Sequence, residues 1–312
     1  LKERIVAVSG ASGFVGGWLC RRLRETGVEV VPILSRDAVA GDDIRDPAAV
    51  EAAVAGLRPF AVVHLAAVAA PAEARADPRE AWDINLMGTL HLAQAVMKHA
   101  PSARFVYAGS SEAYGGAFVR SQTPIAENSG FEPLGVYGAT KAAADLMLGQ
   151  MARDGLAVTR FRPFNHTGPG QSARYVVSDF ARQIARIEAG LEEPSIRVGN
   201  LKAERDFLDV RDVVEAYAKA ACGREAPAAG AAFNLATGSP WSIRRILETL
   251  LSMARVPVTV TGDPARLKPN DIARASGDAS AARDALGWEP RIPFEKTLAD
   301  TLDDWRARCR DA

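Results

Sequence analysis

The chain has 312 residues, 48% of them hydrophobic and 24% charged, an ordinary globular balance with room for one large domain or two smaller ones. Lys plus Arg and Asp plus Glu both number 38, so the formal net charge is zero, which argues against a general nucleic-acid binder while leaving room for a local phosphate site. The three cysteines (Cys20, Cys222, Cys309) form neither a metal-ligand spacing nor a disulfide framework, and no apolar run approaches the roughly 18 residues of a membrane span. The N-terminus runs into a strand without a signal-peptide layout, so the expected setting is a reducing cytoplasm, with no metal, no membrane and no nucleic acid as partners.

Residues 5–9 (IVAVS) read as a strand buried on both faces, 14–25 as a helix, 28–34 as a second strand and 47–56 as a helix. Residues 61–65 (AVVHL) follow as a strand, 83–99 as one long helix with an apolar stripe, 104–109 as a strand, 137–154 as a helix and 156–161 as a strand. This alternation predicts an α/β fold, a doubly wound parallel sheet of Rossmann type. Pro32 conflicts with its strand, since proline cannot donate to a ladder. Beyond about residue 163, Gly and Pro become frequent (NHTGPGQ, EEPSIRVGN). The expected organisation is therefore a dinucleotide-binding domain over 1–164 and a smaller C-terminal α/β lobe for substrate over 165–312, with some elements of the second interleaving with the first.

The first strand-to-helix turn, GASGFVG, carries Gly10, Gly13 and Gly16, with Phe14 and Val15 between the last two. A tight turn, a close approach of backbone to a pyrophosphate and tight helix–strand packing each need glycine, and the helix start then faces the phosphates with free N–H groups. At this place in the chain the triplet predicts a dinucleotide site. An acidic residue at the end of the second strand would hold a ribose 2′-hydroxyl, and an arginine a 2′-phosphate. The segment reads VVPILSRD, so Arg36 favours NADP(H), while Asp37 leaves NAD(H) open. Asp43 and Ile44 are candidates for the adenine, and Leu65, Ala66 and Ala67 end the third strand beside the cofactor path.

In VYGATKAAAD, Tyr137 and Lys141 are four residues apart, one helical face and about 6 Å along the axis. Taken alone, the pair fits a half-buried phenol beside a solvated ammonium better than a reactive pair. His64, His91 and His166 read as core, interface or wall residues.

GASGFVG, DDIRD, HLAA, Asn85 in DINLMGT, GSSEAYG, YGATK, RPFNHTGPGQ, RDFLDVRDVV and FNLATGSPWSI run in order over almost the whole chain. In this set the protein resembles the extended short-chain dehydrogenases/reductases, the nucleotide-sugar branch. The resemblance implies that Tyr137 and Lys141 are the catalytic Y-x-x-x-K pair, that Ser110 orients the reacting carbonyl, and that Asn85 belongs to the cofactor site. Glu112 would be an acid/base or a structural carboxylate. Ser111, Glu112, Asn165, Asn200 and Arg205 would meet the substrate, Phe180 would line the base pocket, and Arg205 would face the diphosphate.

NHTGPGQ and the segment around Arg205 point within the branch to GDP-sugar enzymes. The short loop SRDAVAGD lacks the Arg-rich insertion of the longer dehydratases, which favours a reductase of a GDP-4-keto-6-deoxyhexose, with NADP(H) preferred. The alternatives are a GDP-mannose 4,6-dehydratase or another epimerase or dehydratase of the same fold and, in a different class, a dinucleotide-sensing protein without turnover. Two departures stand out. Lys268 and Asp271 occupy the family's R-P-x-E positions, which changes a bidentate contact. VAAPAEA (68–74) is apolar where relatives often carry polar residues near the sugar. The resemblance also implies a homodimer, with helices 83–99 and 137–154 packed against their copies as a four-helix bundle.

Overall fold

The structure, a computed structural model, describes residues 4–34, 43–266 and 272–310. β1 (Ile5–Ser9), α1 (Phe14–Arg24), β2 (Glu29–Ile33), α2 (Pro47–Leu57) and β3 (Ala61–His64) form the first strand–helix repeats. Two short proline-started helices follow, α3 (Pro71–Ala76) and α4 (Pro78–Trp82), then a π-helical turn (Asp83–Gly88) that runs into α5 (Thr89–His99). β4 (Arg104–Ala108), α6 (Ala117–Arg120), α7 (Val136–Met151) and β5 (Val158–Pro163) complete this half. The expected single helix over 83–99 is thus interrupted: the wide turn carries Asn85, whose buried amide bonds both backbone groups of Val68.

The second half holds β6 (Asn165–Thr167), α8 (Val176–Glu188), β7 (Ser195–Val198), β8 (Glu204–Arg205), β9 (Phe207–Asp209), α9 (Val210–Cys222) and β10 (Ala232–Leu235). It ends with β11 (Trp241–Ser242), α10 (Ile243–Ser252), β12 (Thr259–Gly262), β13 (Arg274–Ala275), α11 (Ser280–Leu286) and α12 (Phe294–Arg310).

The main sheet has six strands in the order β10-β5-β4-β3-β1-β2, all parallel. Its residues alternate between two cores: Val6, Val8, Val63 and Val106 face the layer of α1 and α9, whereas Ala7, Val62, Phe105 and Tyr107 face that of α2, α5 and α7. Burial on both faces is why IVAVS is continuously apolar. β2 is an edge strand and Pro32 on it is exposed, so its missing N–H costs no ladder bond to a second neighbour. A separate apolar core holds α8, α10 and α12 together as the C-terminal lobe.

Two elements from beyond residue 164 lie in the first layer: α9 packs on α1, and β10 pairs with β5 from Ala232↔Arg160 to Leu235↔Pro163. A buried polar network ties β10 to α7. Asp145, 1% exposed, accepts from Arg162 Nε and Nη2 at 2.9 Å each and from Arg160 Nη1 at 2.6 Å. Arg162 also donates to Tyr114 Oη at 2.9 Å, and Tyr114 in turn to Asn234 Oδ1 on β10 at 2.8 Å.

Candidate active site

The chain leaves β1 for β2 on one side of the sheet and reaches β3 on the other, so the strand order reverses at β1. Open α/β sheets bind ligands at such a point, outside the carboxyl ends of the strands. The glycine turn after β1, the Leu65–Ala67 segment after β3 and the serines after β4 meet there around a cavity of about 750 Å³.

Gly10 has a φ of +71°, and a Cβ on it would sit 2.8 Å from Ala66 N. A Cβ on Gly16 would sit 2.2 Å from Gly10 O. These contacts are backbone, so neither position accepts a side chain without moving the turn. Gly13 caps α1 with no side-chain acceptor, which leaves the first N–H groups of the helix turned toward the cavity mouth. The cradle fits a dinucleotide pyrophosphate: Phe14 and Val15 line it together with the three glycines, and Asp43 and Ile44 extend the wall beyond β2. Arg36 lies outside the described residues.

The reacting centre is built where β4 ends and α7 begins. Ser110, 7% exposed, caps the 3-10 turn Ser111–Ala113 by accepting from Glu112 N at 3.1 Å. Tyr137 stands in the first turn of α7 and Lys141 one turn later, and both line the cavity. A Cβ on Gly138 would lie 2.6 Å from Glu112 O, so the glycine between them lets α7 press against the serine turn. Lys141 Nζ donates to Ala108 O at 2.8 Å and lies 5.1 Å from the centre of the Tyr107 ring.

Burial dominates the electrostatics. It pushes the Tyr137 phenol well above its usual range, against the hydrogen bond with Ser110, which pulls it down. It also lowers Lys141 to about 7, because an ammonium there has lost its water without gaining a carboxylate. The protein alone therefore favours a neutral phenol beside an amine whose charge is weakened by burial, and a lowered phenol pKa needs further positive charge in the cleft. Tyr114, the competing phenol, is fully buried, spends its hydroxyl on Asn234 and Arg162, and is pushed up to about 12 by burial. His64 sits between Ser9 Oγ at 2.7 Å and Thr89 Oγ1 at 2.9 Å, lowered by burial to about 3, and is a neutral core residue.

The family model described as GDP-mannose 4,6 dehydratase matches residues 7–301. The chain belongs to this family. It is a nucleotide-sugar branch of the extended short-chain dehydrogenases/reductases, and the parallel sheet with its C-terminal lobe is that fold. The chain is 36% identical over 97% of its length to a GDP-6-deoxy-D-mannose reductase of Pseudomonas aeruginosa, covering 98% of that protein. It is 30% identical over 96% of its length to a UDP-glucose 4-epimerase of Streptomyces lividans, covering 94% of it. Among solved structures it is similar to RMD from Pseudomonas aeruginosa complexed with NADPH, with a TM-score of 0.87 and 33% identity, over 98% of this chain and 99% of that one.

Other residues that the family resemblance suggested lie in several places. Ser111, Glu112 and Asn165 line the cavity, Glu112 and Asn165 with exposed side chains. Asn85 does not: it is 1% exposed, and its amide is committed to Val68 and to Thr140 Oγ1, 2.9 Å away. Its part is to fix the backbone of the cavity wall. Phe180 is also displaced from the reading as a base-pocket wall, since at 2% exposed it sits in the lobe's own core. A phenylalanine on the inner face of an amphipathic helix goes where the apolar stripe goes. Asn200 Oδ1 accepts from Lys202 N at 3.0 Å, and Arg205 Nη1 donates to Glu204 O at 2.8 Å; neither lines the cavity. Lys268 and Asp271 lie outside the described residues.

Several wall residues gave no sequence signal. Arg45, ion-paired with Asp43 at 2.5 Å, lines the cavity beside Ile44. Tyr175, which caps α8, and Tyr217 on α9 also line it. Ala69 and Pro71 line it as well, and these belong to the VAAPAEA stretch that the sequence marks as a departure. Among the described residues no helix is long and apolar enough to cross a membrane, and no cluster of His, Cys, Asp or Glu could hold a metal.

Proposed function

We propose that the chain reduces the C4 keto group of GDP-4-keto-6-deoxy-D-mannose, with NADPH as the preferred reductant and NADH as a usable one. The observation that carries the reading is the convergence of Ser110, Tyr137 and Lys141 on one cavity that also reaches the glycine cradle. The 36% identity to a GDP-6-deoxy-D-mannose reductase supports it, and so does the likeness to a structure complexed with NADPH.

When bound, the reduced nicotinamide supplies a hydride. The residues of the chain do the rest. Ser110 donates to O4 and fixes the carbonyl against Tyr137. Tyr137 releases its proton to O4 as negative charge develops there, so its raised affinity for that proton in the free protein suits an acid that must hold it until the reaction needs it. Lys141, its ammonium form disfavoured by burial in the free protein, would hold the cofactor ribose and bring positive charge to the phenol's surroundings once the cleft is filled. Most of the acceleration comes from holding carbonyl carbon and hydride donor together in a fixed pose.

A second reading is favoured by one observation: Glu112 is exposed on the cavity wall beside Ser110, placed for proton abstraction in a dehydratase or epimerase. Loss of reduced-nicotinamide absorbance separates the two. Oxidation of NADPH that requires the keto sugar supports the reductase, and a parallel assay with NADH ranks the cofactors. Consumption of GDP-mannose with no net oxidation would transfer the assignment to the dehydratase.

For the assembly we infer a homodimer in the cytoplasm. Trp82 (37% exposed), Met87 (40%) and Leu146 (63%) lie on α4, the π-helical turn and α7, which pack against one another and leave these apolar side chains outward.

A further inference from the structure

The cavity near the reacting centre is chemically two-sided. Along the carboxyl edge of the sheet, the segment after β3 contributes Ala69 and Pro71, the turn after β4 contributes Ser110, Ser111 and Glu112, and the residue after β5 and Phe164 contributes Asn165. Sheet order places β4 between β3 and β5. The lining on the β3 flank of Ser110 is therefore apolar, whereas that at Ser110 is polar and that on the β5 flank is mixed, with Asn165, His166 and Gln171 beside Pro163 and Phe164.

The apolar flank is held in register with the catalytic helix. Asn85 Oδ1 accepts from Val68 N at 2.8 Å, and Asn85 Nδ2 donates to Val68 O at 3.2 Å and to Thr140 Oγ1 at 2.9 Å. Thr140 Oγ1 donates in turn to Tyr137 O at 2.8 Å. One buried amide thus couples the residue before Ala69 to the turn of α7 that carries the phenol. On the outer side Glu73 of α3 pairs with Arg174, next to Tyr175 of the lobe. Ala69 and Pro71 are exposed to the cleft rather than packed into the core.

A 4-keto-6-deoxyhexose held with C4 at Ser110 and Tyr137 has two unlike edges about its C1–C4 axis. One carries the hydroxyls of C2 and C3, and the other carries the C6 methyl. Turning the ring over about that axis exchanges the edges and presents the opposite face of C4 to the hydride. In either pose the carbonyl takes a hydride at C4 from NADPH, which is oxidised to NADP⁺, and a proton at O4 from Tyr137. Only the configuration at C4 differs. A methyl on the apolar flank loses its water to an apolar wall, whereas hydroxyls on that flank lose their hydrogen bonds without replacement.

We propose that Ala69 and Pro71 select the pose with the methyl toward them, and thereby set the configuration of the product at C4. The inference rests on the reductase reading above. The test is the C4 epimer ratio of the product, read from the proton coupling between H3 and H4, which is large in one epimer and small in the other. Wild type, Ala69→Ser, Ala69→Asn and Ala69→Val are each incubated with NADPH and GDP-4-keto-6-deoxy-D-mannose. Wild type and Ala69→Val are expected to give one epimer. The Ser and Asn variants, which offer a partner to a sugar hydroxyl, are expected to shift the ratio toward the other by roughly tenfold, the scale of discrimination from one such group in a pocket. A single, unchanged epimer from both polar variants overturns the proposal, as does a mixture from the wild type. A wild type that does not oxidise NADPH with the keto sugar removes the reductase reading, and the proposal with it.

Discussion

Tyr137 and Lys141 share an environment that acts on them in opposite senses. Burial keeps the phenol protonated and drives the ammonium toward its neutral form. Removing the hydroxyl while keeping the ring isolates the proton step: Tyr137→Phe should lower kcat with the keto sugar by roughly 10²–10⁴-fold, and leave NADPH binding, followed by nicotinamide fluorescence, close to wild type. Lys141 gives a signature in stability. In the folded chain it titrates near 7, against an ordinary 10.5. Between those values the unfolded chain holds the extra proton, so stability rises with pH across the window, and below it the cost of burying the charged amine is borne in full. Urea unfolding without nucleotide should therefore show wild type gaining on Lys141→Met as pH rises from 7 toward 10. A flat difference would place the amine in water. These two residues were legible because their spacing is local and the motif carries its own chemistry. Phe180 was not, because the direction of a helical side chain is decided by what the helix packs against. Tyr175 was not, because a lone aromatic before a helix has no spacing to mark it.

At the scale of elements, α7 is fastened at both ends of its chemistry. Its first turn presses on the serine turn through Gly138, and its third carries Asp145 between two guanidiniums from β5. Asp145→Asn would leave Arg160 and Arg162 without their counter-charge in a dry setting. Equilibrium urea unfolding should show a loss of about 3–5 kcal/mol, the cost of breaking a buried pair on one side only. A loss under 1 kcal/mol, the range of an exposed pair, would mean that water reaches the network. The strands β1 and β3 were readable from near-continuous apolar runs, β2, β4 and β5 from their place in the strand–helix alternation, and the glycine turn from its place between β1 and α1. The break in the helix over 83–99 was hidden, since a π-helical turn keeps the same composition as its neighbours and is specified by the long-range bonds of Asn85.

At the scale of the molecule, Trp82, Met87 and Leu146 are apolar side chains exposed on elements that pack together, and a single copy leaves them uncovered. Sedimentation should give a dimer for wild type, and a monomer for Leu146→Glu if α7 forms the centre of the contact. A wild-type monomer would refute the assembly. The change in composition near residue 164 suggested a boundary there, but the pairing of β10 with β5 was not legible, because nothing in a four-residue strand such as AFNL names its neighbour. That pairing has a consequence for synthesis. When residue 164 leaves the ribosome, β5 is the open edge of an otherwise complete sheet, and Arg160 and Arg162 lack the Gly230 and β10 partners that close their network. About 70 further residues must emerge before Ala232–Leu235 can seal that edge, at typical elongation rates a delay of several seconds. The nascent cofactor half spends that interval with an unpaired strand, so it is the stage at which a chaperone has most to shield.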